Sequence, residues 1–433
     1  MKVILSILTF LSVVAFGKSY LLSSVPLPKT YIQNLDPYPC NEDCMQDYLD
    51  NEVMFSFLSH ANKQLEDEEQ EEIRMMSVSI FNIGSQIRSD ELKIALLLPY
   101  KKIGRYAAST TNASFAYLIA RNQSFELKTY NIESENLEDI LMALEQIEED
   151  GFNYIIAPFT QEGAQTFVSL KPTQKLYFPT INKNDLNTSA HNIYFGGIDY
   201  KAQIDVLLKE TVSPLVIFYD NTPIGKKLSQ YEEVSFMNKP IQSDYFENVY
   251  FEDDDDSFFY ENNVENLVDD RNLSVVKFSI PKWTTNLEKQ LFENEKIVKG
   301  SIFINTPIVK SSMIMSQLTM YDVNATNVLS TQINYDPLIL SLTQYTDRDK
   351  MIIANSITHH NSIFIETNYL LGNDIVYDWI NYTTTVGIDL FFTKITNQDR
   401  QYKIDMKDNQ MLYPIELLQP SKTRFIKYFS PFK

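Results

Sequence analysis

Lys93–Pro99 reads KIALLLP: one cation, five consecutive aliphatic residues and a proline. The run is too short for a helix and has no polar face, so it reads as a strand buried on both sides. Such strands belong to parallel sheets covered by helices. The chain on its C-terminal side repeats the idea. Tyr106–Arg121 has helical composition, and Phe125–Ile132 alternates as a strand does. Asn136–Glu149 places Leu137, Ile140, Leu141, Leu144 and Ile147 on one helical face. Asn153–Pro158 (NYIIAP) is a second doubly buried strand. Gln161–Leu170 follows as a helix, Lys175–Pro179 and His191–Gly196 as strands, and Lys201–Glu210 as a helix. Strands interleaved with helices in this way predict an α/β fold with a doubly wound parallel sheet.

A second set starts at Pro214. Leu215–Tyr219 (LVIFY), Val275–Ile280, Ser301–Asn305, Val328–Asn334 and Met351–Ser356 read as strands. Helices are expected from Gly225, over Thr285–Asn294 and over Val309–Met320. The set is interrupted by Phe246–Asn266, an aperiodic mixture of acids and aromatics that lacks the alternating ligands and central glycine of a calcium loop. The expected organisation is two lobes, 92–212 and 213–345, with an acidic insertion at 246–266 and a segment 346–433 that completes them.

Upstream, Lys2 precedes the apolar run Val3–Phe16, and Ala15-Phe-Gly17 offers small residues for cleavage. Residues 1–17 therefore read as a signal peptide, with the mature chain expected in the periplasm. The run falls short of the roughly 20 residues that span a bilayer, and no other stretch is long and apolar enough to do so. Residues 18–91 read as an extended leader and a short helical region, the latter from Asn41 to Ser89. Within it, the acidic run between Leu65 and Ile73 reads as a solvated helix face or a loop between helices. The only cysteines are Cys40 and Cys44. In an oxidising compartment a pair spaced i,i+4 at a helix start is within disulfide reach; two free thiols are the alternative.

Net charge is −20, from 57 acidic and 37 basic residues. That field repels phosphate backbones and anionic lipid, which argues against nucleic acid as a partner. The 11 glycines leave few positions for phosphate-cradling loops. No nucleophile elbow, P-loop or H-E-x-x-H helix occurs. His359 and His360 are adjacent and poorly spaced for chelation, so no metal and no cofactor is expected. Ligands of open α/β sheets bind beyond the carboxyl ends of strands. Two loops qualify: Thr160-Gln161 after the third strand, and Thr180 to Asn182 after the fourth. Thr160 is either a carboxylate-binding hydroxyl or a plain helix N-cap, and Thr180 and Asn182 either face a cleft or form a turn. Three segments read D-x-N-x-[ST], at Asn187, Asn272 and Asn324, where composition alone gives about one. They look like the extended acceptor sequon of bacterial N-glycosylation.

The ordered set Ile94–Pro99, Gly104-Arg-Tyr-Ala-Ala108, Ile155–Pro158, Phe178–Asn182, Asn192–Gly196 and Tyr200-Lys-Ala202 resembles the type I periplasmic-binding fold. In detail it is similar to the penicillin-binding-protein activator (LppC-type) family. The resemblance covers residues 92–220 and continues beyond them by rhythm. It departs from the family in having no cysteine after the apolar run. It implies a two-lobed, non-catalytic body whose partner is a cell-envelope protein, or a solute receptor for an amino acid or similar small metabolite held in an interlobe cleft. In solute-binding relatives a hydroxyl and backbone amides after the third strand hold the ligand carboxylate, and Thr160 is the matching position.

Overall fold

The computed structural model describes residues 30, 32, 34, 40–61, 64–81, 83, 92–121, 123–186, 188, 190–238, 273–359 and 361–430. The signal peptide, the insertion at 246–266 and the asparagines Asn187 and Asn272 lie outside the described residues. By internal packing the chain divides into two compact units, Met1–Ala95 with Gln123–Tyr130, and Leu96–Asn122 with Asn131–Lys433.

In the first unit, α1 (Glu42–Asp50), α2 (Met54–His60) and α3 (Glu68–Ile80) enclose a small core of Met45, Phe57, Leu58 and Ala61. Cys40 and Cys44 form a disulfide at the start of α1. Asn41 caps that helix, its Oδ1 accepting from the Cys44 N–H at 3.1 Å. The acidic run straddles the loop before α3 and its first turn, where carboxylates favour the helix dipole.

Two seven-stranded sheets form the body. The first is built from β1 (Lys93–Pro99), β2 (Glu126–Ile132), β3 (Tyr154–Ile156), β4 (Lys175–Phe178) and β5 (Ile193–Phe195). The helices of this stretch are α4 (Tyr100–Ile103), α5 (Arg105–Ala120), α6 (Leu137–Glu149) and α7 (Gln161–Ser169). The second sheet uses β6 (Leu215–Asp220), β7 (Val275–Ile280), β8 (Ser301–Asn305), β9 (Asn327–Ser330) and β10 (Met351–Asn355). Along this stretch lie α8 (Tyr200–Leu207), α9 (Pro223–Met237), α10 (Glu288–Leu291), α11 (Ile308–Met320), α12 (Leu338–Leu342) and α13 (Tyr345–Arg348). Two further helices, α14 (Ser362–Leu370) and α15 (Trp379–Thr396), precede the short strands β11 (Asp405–Lys407), β12 (Gln410–Leu412), β13 (Glu416–Pro420) and β14 (Phe425–Lys427).

The sheet orders are β11-β12-β5-β4-β3-β1-β2 and β14-β13-β10-β9-β8-β6-β7. The ladders β3–β4, β4–β5, β6–β7, β6–β8, β8–β9 and β9–β10 are all parallel. The reading of KIALLLP holds: Ile94 to Leu97 are fully buried and Leu98 nearly so. Each Ile or Leu among them gives about 2 kcal/mol of apolar burial, an upper figure because unfolded chains are partly compact.

The sheets are not purely parallel. A C-terminal hairpin extends one edge of each sheet: β11–β12 and β13–β14 are antiparallel. β12 joins β5 in parallel, whereas β13 joins β10 antiparallel. Other expectations need correction. The helix expected over Thr285–Asn294 shrinks to Glu288–Leu291, because the backbone turns extended at Phe292, with ψ 123°, and left-handed at Glu293, with φ 51°. The strand expected over Val328–Asn334 stops at Ser330 and turns into a single 3₁₀ turn. On α6, Ile140, Leu144 and Ile147 are buried as expected, but Leu137 and Leu141 face solvent and Ala143 takes the remaining inner position.

Three segments pass between the sheets: Gly196–Asp199, Ser356–Asn361 and Tyr413–Ile415. As a result α8 packs on β10 of the second sheet, while α14 and α15 return to α5 beside the first. α15 can lie close to β4 because Gly387 has no Cβ to collide with the Tyr177 ring, whose hydroxyl donates to the Thr383 carbonyl at 2.9 Å. Deeper on α15, the fully buried Asp389 accepts from Tyr117 OH (2.7 Å), Gln401 N (2.8 Å), Tyr402 N (3.1 Å) and Arg400 Nε (3.3 Å).

Candidate functional site at the carboxyl ends of the strands

The four candidate residues of the first lobe come together beyond β3 and β4. Thr160 has extended backbone and caps α7, its hydroxyl oxygen accepting from Gly163 N at 3.2 Å. That helix end offers aligned N–H groups and a positive dipole end, which suit a carboxylate. A carboxylate is there, and it belongs to the chain. The Thr160 N–H donates to Glu135 Oε1 at 2.8 Å, and the Thr160 hydroxyl donates to Glu135 Oε2. Glu135 is 8% exposed. Its carboxyl group rests against the Cα of Gly163, where any Cβ would collide with it. Thr180 donates to the Phe159 carbonyl at 2.6 Å, tying β4's exit to the loop before α7. Asn182 is buried, donating to the Gly197 carbonyl (3.2 Å) and accepting from Asn184 N (3.0 Å). Gln161 donates to the Asp185 carbonyl at 2.7 Å. The Asp185 carboxylate in turn pairs with Lys227 of α9 at 2.6 Å, half in solvent. Sequence reasoning found the four loop residues but missed Glu135. It stands 25 residues before Thr160, in the turn between β2 and α6, and nothing in its local sequence distinguishes it from other acids.

The second sheet's carboxyl edge carries a denser buried polar set. Gln203 of α8 donates to Gln332 Oε1 (3.1 Å) and to Ser356 Oγ (2.8 Å), and accepts from Gln332 N (2.9 Å). Ser356 N closes the ring on Gln332 Oε1 at 2.8 Å. The Asn305 amide, at the end of β8, donates to both oxygens of the fully buried Glu232 on α9, at 2.8 and 2.7 Å. Desolvation pushes Glu232 up to about 8, against the Asn305 hydrogen bonds and the Lys277 charge, which pull it down. Asn334 donates to Ser330 Oγ at 2.8 Å. Four buried polar atoms here have no hydrogen-bond partner: Asn305 Oδ1, Thr331 Oγ1, Gln332 Nε2 and Asn334 Oδ1. The β8–β9 register continued by two residues sets Asn305, which meets α9 through Glu232, opposite Thr331.

Among the described residues, no group of three or more His, Cys, Asp or Glu side chains is arranged to hold a metal, and no helix is long and apolar enough to cross a membrane.

No protein-family model and no curated protein matches the sequence. Solved structures do match. A structure from Rhodospirillum rubrum assigned to branched-chain amino acid ABC transport aligns with 78% of this chain and 99% of its own, at 10% identity and TM-score 0.58. An ABC-transporter solute binding protein from R. palustris in complex with 4-hydroxybenzoate aligns with 78% and 95%, at 10% identity and TM-score 0.51. The C-domain of LpoA from Haemophilus influenzae, a regulator of PBP1A, aligns with 78% and 100%, at 8% identity and TM-score 0.46. At these identities the likeness is one of fold. The fold is that of the type I periplasmic binding proteins, two α/β lobes with parallel-centred sheets.

Proposed function

We propose that this chain is a non-catalytic binding protein of the periplasm that acts by contacting cell-envelope proteins, its first lobe not serving as a receptor for carboxylate solutes. The observation that carries this reading is the Glu135–Thr160 pair. The donors best suited to an incoming carboxylate already hold one, and it is tethered, so a free ligand competes against a group of very high effective concentration. Thr180, Asn182 and Gln161 support it, since each spends its polar group on a backbone carbonyl of the chain. The test is thermal unfolding of the mature chain with amino acids, short peptides, sugars and 4-hydroxybenzoate at millimolar concentration. A ligand at 100 times its Kd stabilises by about 2.7 kcal/mol, which is readily seen. No shift is expected, whereas a specific partner should be captured from envelope extracts. A clear shift with any of these solutes, or no specific partner with or without residues 246–266, overturns the reading.

A second reading, a solute receptor for an amino acid or similar metabolite that feeds a transporter, is favoured by one feature. The second sheet's edge holds four buried polar atoms that call for partners. Under that reading a solute gives a thermal shift that Thr331→Val weakens.

A further inference from the structure

The segment Asp322-Val-Asn324-Ala-Thr326 links α11 to β9, and its exposure alternates. Asp322, Asn324 and Thr326 are exposed, Val323 is half-buried and Ala325 is buried. The backbone here is bent, Asp322 taking a left-handed φ of 51°. The bends turn positions −2, 0 and +2 of the sequon to solvent together and leave Val323 and Ala325 packed on the protein. Asn324 stands at the apex of a tight turn, in which Ala325 N donates to the Val323 carbonyl at 2.9 Å. The flanks are held: Lys299 N donates to Asn324 O (2.7 Å), Thr326 N to Gly300 O (2.9 Å), and Lys350 Nζ to Ala325 O (2.8 Å). The folded surface therefore presents this acceptor in a fixed form. One contact opposes recognition. The Thr326 hydroxyl donates to the Lys299 carbonyl at 2.7 Å and must let go when an enzyme reads it. That carbonyl is at the surface and water can replace the bond, so the net cost is about 1 kcal/mol.

We propose that Asn324 is an N-glycan acceptor on the folded, exported chain, modified by an oligosaccharyltransferase that reads an acidic side chain two residues before the asparagine. The donor is an oligosaccharide linked to a lipid through diphosphate. The Asn324 amide nitrogen forms a bond to C1 of the first sugar, the C1–O bond to the diphosphate breaks, and the lipid diphosphate leaves. One amide proton passes to a base of the transferase, and no oxidant or reductant is consumed.

The test places the full mature chain, carrying Asn187→Gln and Asn272→Gln, behind a heterologous export signal, so that the chain's own signal is not at issue. The host expresses such a transferase and its lipid-linked oligosaccharide. A flexible D-x-N-x-T tag at the C-terminus reports that export and transfer both work. The expected result is two glycans by intact mass, one on the tag and one on the peptide containing Asn324. Asn324→Gln, Asp322→Asn and Thr326→Val should each leave the tag glycan alone, with the melting temperature of Asn324→Gln unchanged. A modified tag beside an unmodified Asn324 peptide overturns the proposal. So does an Asn324 glycan that survives Asp322→Asn, because the acidic side chain is then not read.

Discussion

At the carboxyl end of β3 the first sheet presents Thr160 to a carboxylate supplied by the chain itself, whereas at the ends of β8 and β9 the second sheet holds Asn305, Thr331 and Asn334 with polar atoms that find no partner. The two sheets have the same strand order, with β1 and β6, β3 and β8, β4 and β9, and β5 and β10 in equivalent places. Equal topology has thus produced opposite chemistry at equivalent edges, since loops and covering helices, not the sheet, choose what sits there. The first edge is closed. The second has buried polar demand, and demand of that kind is what ligands, waters or partners satisfy.

The comparison is broken most severely through Asp389, which closes the polar interior behind the first sheet. Asp389→Ala leaves the Tyr117 hydroxyl and two backbone N–H groups without their acceptor and removes the counter-charge of Arg400. The expected loss is about 3–5 kcal/mol, read as a fall in urea midpoint at unchanged slope. A loss below about 1 kcal/mol would mean that the interior relaxes and the first lobe is not rigidly closed.

Glu232 sharpens the contrast from the other side. Its folded pKa, about 8, lies above the ordinary carboxylate value of 4.5, so between these the native state binds more protons than the unfolded chain. Stability from this group is present below pH 4.5 and falls as pH rises towards 8. Glu232→Gln removes the titration and keeps an amide oxygen to accept from Asn305 Nδ2. The variant should match the parent near pH 5 and exceed it by on the order of 3 kcal/mol above pH 8. Denaturation curves across that range with no change in the difference would show that Glu232 stays ionised and hydrated.

What the sequence disclosed and what it hid follow from the range of the interactions. KIALLLP, LVIFY, SIFIN and MIIAN are strands because each is locally apolar and short, and the burial signal lies within the run itself. β11 to β14 are three to five residues long and mostly exposed or half-buried; Asp405–Lys407 is exposed throughout. They exist because free sheet edges accept them, which no local pattern announces. The candidate site divides in the same way. Thr160 was legible as an N-cap from its own neighbourhood, with the turn of Thr180 and Asn182 beside it. Glu135 and the Gln203–Gln332 ring, whose residues are 129 apart, are products of the finished fold.

Glu135 itself tests whether the first edge is closed by choice of sequence. Glu135→Ala removes two hydrogen bonds to Thr160 at a cost of about 1–2 kcal/mol and uncovers the helix end. Acetate should then raise the melting temperature of the variant and leave the parent unmoved. An equal response in both would show that Glu135 does not occupy the anion position in solution.

The smallest effect is the most discriminating for the second edge. The Thr331 hydroxyl is fully buried and has no hydrogen-bond partner, so in the isolated chain it contributes a desolvation penalty and nothing in return. Thr331→Val keeps the shape and deletes that group. The variant should be neutral, or more stable by up to about 1 kcal/mol, in thermal and urea unfolding. A loss of the same size would mean that the hydroxyl is satisfied by something outside the polypeptide. The buried set of Asn305, Thr331, Gln332 and Asn334 would then be a working polar site, and the solute reading would gain what the first lobe denies it.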